Sequence, residues 1–243
     1  MKNIRLYETE VNYTSEKDNH EYPTVSYCKE NDMVYYYEKV PLFEFVDLGL
    51  PSGTLWADRN VGASKPEEFG LYFAWGETQG YKSEDVDNSV RSFNWKSYKW
   101  SADAGGSTMT KYNEIDGLTT LEVADDAATT VDSSCRMPTK EEYEELVANT
   151  TSAVTIVNEV SGVTLTSKVN DNSIFIPFAG YVDGSYSYTD DQNFVYMWSS
   201  SLYNEYVYDD YGRVALCYIN YEESIDITNF FRKYGMVIRP VKK

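Results

Sequence analysis

The chain has 243 residues, and 39 acidic against 21 basic side chains give it a formal charge of −18. Phosphate backbones and anionic lipid surfaces are bound through clustered Lys and Arg, so this balance excludes nucleic acid and membrane surfaces as primary ligands. With 42% hydrophobic and 16% aromatic residues there is ample material for a core, and no apolar run approaches the roughly 20 residues needed to cross a bilayer.

Residues 1–44 stand apart. RLYETEVNYT and TVSYCKENDMVYYYEKV alternate in the manner of strands, with Glu30-Asn31-Asp32 as the turn of a hairpin. So small a β unit has too little apolar content to be secure alone and is expected to pack on the rest of the chain or on a copy of itself, as an attachment or homo-oligomerisation element. The opening MKNIRLYETEVNYT lacks the apolar stretch of a secretion signal, so synthesis in a cytoplasm is expected.

Residues 45–243 read as one α+β domain. FVDLGLPSGTLWADRNVG is strand-like, broken by Pro51, Ser52 and Gly53. In SKPEEFGLYFAWGE, Ser64 precedes Glu67 at capping-box spacing and Gly70 follows, which predicts a short helix. Gly80 to Val131 is rich in Ser, Asp, Gly, Asn and Thr and carries Trp95 and Trp100; it predicts an elaborated surface loop with little regular structure. PTKEEYEELVANT predicts the clearest helix, capped by Thr139 and Glu142, with Tyr143, Leu146 and Val147 on its buried stripe. Short β signals then run to the end of the chain, and two early helices followed by strands define the α+β class.

Period-2 alternation assigns faces to the last strands. Ala215, Cys217 and Ile219 form one set and Leu216, Tyr218 and Asn220 the other; Ile225 and Ile227 turn inward, so Ser224, Asp226 and Thr228 turn out. The stretch from Ser199 to Phe231 holds six tyrosines and no lysine. Tyrosine brings a large, stiff, amphipathic surface at low entropic cost, and Ser, Asn and Asp add short adaptable hydrogen-bonding groups, the composition of a paratope. A tyrosine-rich edge of an ordinary sheet is the plainer reading of the same residues.

Little else suggests chemistry. Cys28, Cys135 and Cys217 are widely spaced and odd in number, which fits neither a disulfide framework nor a zinc site, and they read as small buried hydrophobes. The single histidine, His20, lies in a polar stretch and is badly placed for a catalytic triad or metal centre. Asp209 and Asp210 are adjacent carboxylates of the kind calcium takes. Trp198 with Ser199, Ser200 and Ser201 reads as a buried Trp beside backbone-bonding hydroxyls, Asp125 and Asp126 as caps or turn residues, and Arg232 and Arg239 as ties of the last strand to the framework.

Several strings, VDLGLPSGTLWADRNVGASKPEEFGLYFAWGET, TTLEVADDAATT, RMPTKEEYEEL, IPFAGYVDG, WSSS and RKYGMVIRPV, resemble in content and order the variable proteins of diversity-generating retroelements, which have a C-type lectin-like fold, and the related Fibrobacter-type paralogous domains of gut bacteria. The resemblance runs from about residue 45 to the end and does not include the N-terminal part. It implies a C-type lectin-like domain with two short helices and small antiparallel sheets. It also implies that adenine-directed copying errors diversify a C-terminal window, here about 203–231, scattering Asn codons into Tyr, Asp, Ser and similar residues.

On that reading the protein is a non-enzymatic binder without cofactor or metal, displayed on a phage particle or cell surface and recognising a protein or glycan of a bacterial surface. Tyr203, Tyr206, Tyr208, Tyr211, Tyr218, Tyr221 and Phe230 would anchor the ligand, while Asn204, Asp209, Asp210, Asn220, Ser224, Asp226, Thr228 and Asn229 would tune specificity. Glu205, Glu222 and Glu223 depart from the pattern, being unreachable from such codons, and Cys135 stands where relatives commonly place Trp. The alternatives are a structural, fimbria-like surface subunit and a calcium-dependent sugar-binding lectin, whose Glu-Pro-Asn-like and Trp-Asn-Asp motifs are missing. Oxidases that share the fold bind copper through a cysteine pair near the end of the chain, where this sequence has only Cys217.

Overall fold

The structure is a computed structural model that describes residues 4–10, 25–28, 33–39, 42–86, 91–189, 193–203 and 213–242, with the backbone alone for the first three segments and for 213–216. The chain divides into two compact units, Met1–Glu44 and Phe45–Lys243. In the first, strands β1 (Ile4–Glu10), β2 (Val25–Cys28) and β3 (Met33–Lys39) form an antiparallel sheet in the order β1-β3-β2. The turn expected at Glu30-Asn31-Asp32 lies outside the described residues.

The second unit is mixed α+β, mostly small antiparallel sheets with few helices. Its opening strands β4 (Phe45–Val46) and β5 (Leu55–Ala57) are joined later by the last strand of the chain. The helix expected after Ser64 does not form. Its Ser64 N–H and hydroxyl both bond the Glu68 carboxylate, whereas Glu67, the residue expected to cap, accepts from Asn158 Nδ2 at 2.8 Å. Leu71 N–H closes the segment onto the Val61 carbonyl at 2.9 Å, so the chain makes a loop there.

The described residues from Gly80 on are loop with two 3-10 turns, Ser83–Asp85 and Val123–Asp125, ending in a short helix α1 (Ala127–Val131). Asp125 fastens this region: its carboxylate takes bonds from Lys99 (2.8 Å), Lys111 (2.6 Å) and the Tyr112 hydroxyl (2.7 Å). Asp126 caps α1 through the Thr129 N–H and also accepts from Met137 N–H.

Helix α2 (Lys140–Asn149) forms where predicted, with the complete capping box between Thr139 and Glu142. Tyr143 and Leu146 are buried and Val147 is half-buried, as the stripe requires. Glu142 also accepts from Thr54 and pairs with Arg136, which ties the start of α2 to the turn before β5 and to the segment that leads into the helix.

A meander follows, β6 (Thr150–Val157), β7 (Val160–Ser167) and β8 (Ser173–Pro177), paired in that order. After it come the small pair β9 (Val182–Asp183) and β10 (Tyr186–Ser187), and the three-stranded sheet β11 (Phe194–Leu202), β12 (Arg213–Asn220) and β13 (Ile225–Phe231). Strand β14 (Val241–Lys242) closes the unit by pairing with β5.

The core is aromatic at its centre. Trp56, Trp75 and Trp198 are fully buried; Trp75 Nε1 donates to the Ser199 carbonyl and Trp198 Nε1 to the Phe73 carbonyl. Arg239, also fully buried, donates to Asn60 Oδ1 and to the carbonyls of Ala57 and Phe175, a planar fork used as internal cross-bracing. Arg232 does the same for the carbonyls of Lys111 and Tyr112. Among the described residues no helix is long and apolar enough to cross a membrane.

Candidate binding face

The sheet β11-β12-β13 has one face in the core and one turned away. Register puts Met197 opposite Cys217 and Cys217 opposite Ile227, and puts Val195 opposite Ile219 and Ile219 opposite Ile225. Val195, Met197, Cys217 and Ile219 are buried, with Ile225 and Ile227 packed against them. On the other parity the same register lines up Tyr196, Tyr218 and Asp226 across the three strands, with Phe194 opposite Asn220. A strand can place an aromatic row outward only because its alternate residues satisfy the core.

The outward rings are continuous. Tyr196 and Tyr218 stack with centroids 4.7 Å apart, and Tyr196 lies 5.2 Å from Phe230. Tyr181 joins them, 5.3 Å from Tyr196 and 5.8 Å from Phe230, and itself stacks on Tyr188 at 4.8 Å. Tyr234 completes the cluster, 4.8 Å from Phe230. These rings are half-buried, apart from the exposed Tyr188. Tyr181 is aimed by Gly180, which adopts a positive φ of 58° and donates its N–H to the Phe194 carbonyl.

The phenols of Tyr196 and Tyr234 stay protonated at neutral pH. Burial, with Tyr218 and Tyr181 close by, pushes Tyr196 up to about 12, and burial beside Asp183 pushes Tyr234 up to about 12. Each therefore offers a neutral hydroxyl donor at the end of an apolar ring. Lys233 extends its ammonium over the Tyr234 ring, 3.7 Å from the centroid, and onto Asp183 Oδ1.

A tight turn borders the face. Asn220 Oδ1 accepts from the N–H groups of Glu222 and Ser224, and Glu223 takes a positive φ of 63°. Glu223 Oε1 accepts from Val154 N–H on β6 at 3.1 Å, so this Glu is a framework residue fixing the turn to the neighbouring sheet. Tyr221 is exposed and its hydroxyl donates to Glu222.

The sequence-derived candidates divide accordingly. Tyr218, Asp226 and Phe230 come together on the outward face; Thr228 has the same parity, and Ser224 donates its hydroxyl to Asp226. Asn220 and Tyr221 belong to the turn. Asn229 is half-buried and shares the parity of Ile227, so it does not stand with Asp226. Tyr203 is half-buried, 5.9 Å from Lys140 Nζ. Asn204, Tyr206, Tyr208, Asp209, Asp210 and Tyr211 lie outside the described residues. Sequence reasoning passed over Tyr181, Tyr188, Phe194, Tyr196 and Tyr234, although the alternation of Phe194 and Tyr196 with Val195 and Met197 carries the same signal as the strands that were assigned.

Among the described residues no group of three or more His, Cys, Asp and Glu could hold a metal ion. Cys135 and Cys217 are buried free thiols, and burial raises both above the ordinary thiol range, Cys135 to about 12. Comparison with protein-family models, with curated proteins and with solved structures gives no match.

Proposed function

We propose that the second unit is a non-enzymatic binding domain, a C-type lectin-like scaffold of the retroelement-diversified kind, that recognises a macromolecule of a bacterial surface through its Tyr-rich C-terminal sheet. The observation that carries this reading is the division of labour within β11-β12-β13: Val195, Met197, Cys217 and Ile219 hold the core while Tyr196, Tyr218 and Asp226 stand on the opposite face. Side chains on that parity are replaceable without touching the packing beneath, which is what a surface under diversification needs. Stiff aromatic anchors among short polar groups are the usual makeup of binding hot spots. In this reading Tyr181, Tyr188, Phe194, Tyr196 and Tyr234 form the fixed part of the platform, and the window from Tyr203 to Phe231 supplies its variable part.

The test is binding of the purified protein to intact bacterial cells, compared with a Tyr196→Ala/Tyr218→Ala variant that keeps its circular dichroism spectrum. Loss of binding in the folded variant supports the proposal; undiminished binding rejects it. Diversification itself is tested at the gene: a neighbouring reverse transcriptase and a near-identical repeat differing mainly at adenines are expected, and their absence favours a structural surface subunit.

A further inference from the structure

The outward face is acidic as well as aromatic, and it already holds one cation of its own. Lys233 lies between the Tyr234 ring and the Asp183 carboxylate, and the Tyr234 ring is in contact with Tyr181 and Phe230. An aromatic ring flanked by a carboxylate binds an ammonium or guanidinium by quadrupole and ionic attraction together.

The remainder of the face repeats this pairing without the cation. Tyr218, stacked on Tyr196, stands directly across from the exposed carboxylate of Asp226; Tyr221 and Glu222 lie in the adjoining turn. Among the described residues no Lys or Arg lies within ion-pair distance of Asp226 or Glu222. The chain as a whole carries −18.

We infer that the face built on Tyr196, Tyr218 and Asp226 takes a cationic polypeptide segment, its Lys or Arg side chains lying on the rings and paired with the carboxylates. Arginine suits it best, because a guanidinium stacks on a ring while its edge bonds a carboxylate. Charge complementarity separates this occupant from a neutral glycan, which gains nothing from the uncompensated carboxylates, and from an acidic partner, which they repel. The inference rests on the proposed binding role and narrows it to one chemistry.

A displayed random-peptide library panned on the whole protein tests it, with each recovered peptide counter-screened against Tyr196→Ala/Tyr218→Ala and against Glu222→Gln/Asp226→Asn. Peptides that need both residue pairs and carry net positive charge are expected, with affinity falling about fivefold or more in each double variant, the scale of one exposed cation–π contact or ion pair. Tyr-dependent peptides that are neutral or acidic, or cationic ones indifferent to Glu222→Gln/Asp226→Asn, overturn the cationic assignment and leave the binding role standing. Recovery of no Tyr-dependent peptide overturns the cationic assignment alone, and the binding role then stands or falls by the binding to intact cells. Because Glu222 and Asp226 are exposed, their variant remains informative even where the tyrosine variant fails to fold.

Discussion

Tyr196 and Tyr218 are direct cross-strand partners whose rings stack at 4.7 Å with 28° between their planes, on the side of the sheet away from the core. The sheet itself is held from behind by Met197 and Cys217, the neighbours in sequence of the stacked pair. On the proposed reading, binding and stability fall to alternate residues of the same strands.

Replacing Tyr196 and Tyr218 singly and together by Ala is therefore expected to cost little stability. A double-mutant cycle should return a coupling of about 1 kcal/mol, the worth of a stacked aromatic pair. Urea denaturation checks it. A fall in stability of the size seen on truncating a core aromatic, about 3–5 kcal/mol for either single variant, would mean that these rings fasten the fold.

Gly180 should be irreplaceable where Gly184 is not. Both have positive φ, but a Cβ at Gly180 would run into the Tyr188 carbonyl oxygen, while at Gly184 nothing lies within 4 Å. Gly184→Ala is expected to cost about 1 kcal/mol, the left-handed penalty alone. Gly180→Ala should cost about 2–4 kcal/mol and alter the near-ultraviolet spectrum of the tyrosine cluster, since the backbone carrying Tyr188 must move. Thermal melts of the two variants side by side decide the point.

The start of α2 gives a pH signature. Burial opposes ionisation of Glu142, yet bonds from Arg136, from Thr139 N–H and from the Thr54 hydroxyl outweigh it, and its carboxyl lies below the usual range. A depressed carboxyl stabilises the fold above its unfolded value, about 4.3, and that stabilisation is lost as pH falls through the lower folded value. Glu142→Gln should lower stability by about 2 kcal/mol near pH 7 and close the gap to the parent protein as pH falls below about 4. Asp126, raised by burial, acts with the opposite sign in both proteins and cancels from the difference. A gap that persists unchanged at low pH would contradict this account.

Cys135 and Cys217 should resist alkylation in the folded protein at pH 7 and react fully once it is unfolded, since burial keeps both as thiols and out of reach. A Cys28→Ser background isolates the pair. Rapid labelling of either in the native state would show that the sheet or the α1 region opens readily.

Where local chemistry decides the structure, the sequence is legible. The Thr139–Glu142 box announces α2 because both partners of the cap lie within four residues, and alternation in VALCYIN and SIDIT separates Cys217 and Ile227 from Tyr218 and Asp226 because a pleat has period two. Ser64 and Glu67 show the same local pattern and yield no helix, since Asn158, 91 residues away in sequence, claims the Glu67 carboxylate. The tyrosine cluster was only half readable for a similar reason: Tyr218 and Phe230 lie in the Tyr-rich segment, but Tyr181, Tyr188 and Tyr234 join them through the parallel bridge of Gly180 to Val195 and the antiparallel bridge of Val182 to Gly235, pairings without any local signal.

Strand β5 receives β4 on one side and β14 on the other, with Val46 and Val241 both opposite Trp56. Phe45 and Lys242 consequently leave the domain within a few residues' reach of each other. A linker of about four to six residues can join them, at up to about 3.5 Å per residue, and new termini opened at the exposed loop around Gly117 should give a circular permutant that still folds. The same adjacency means that tension applied between the two ends is borne by this short three-stranded clasp together with the backbone pair of Val241 with Arg136.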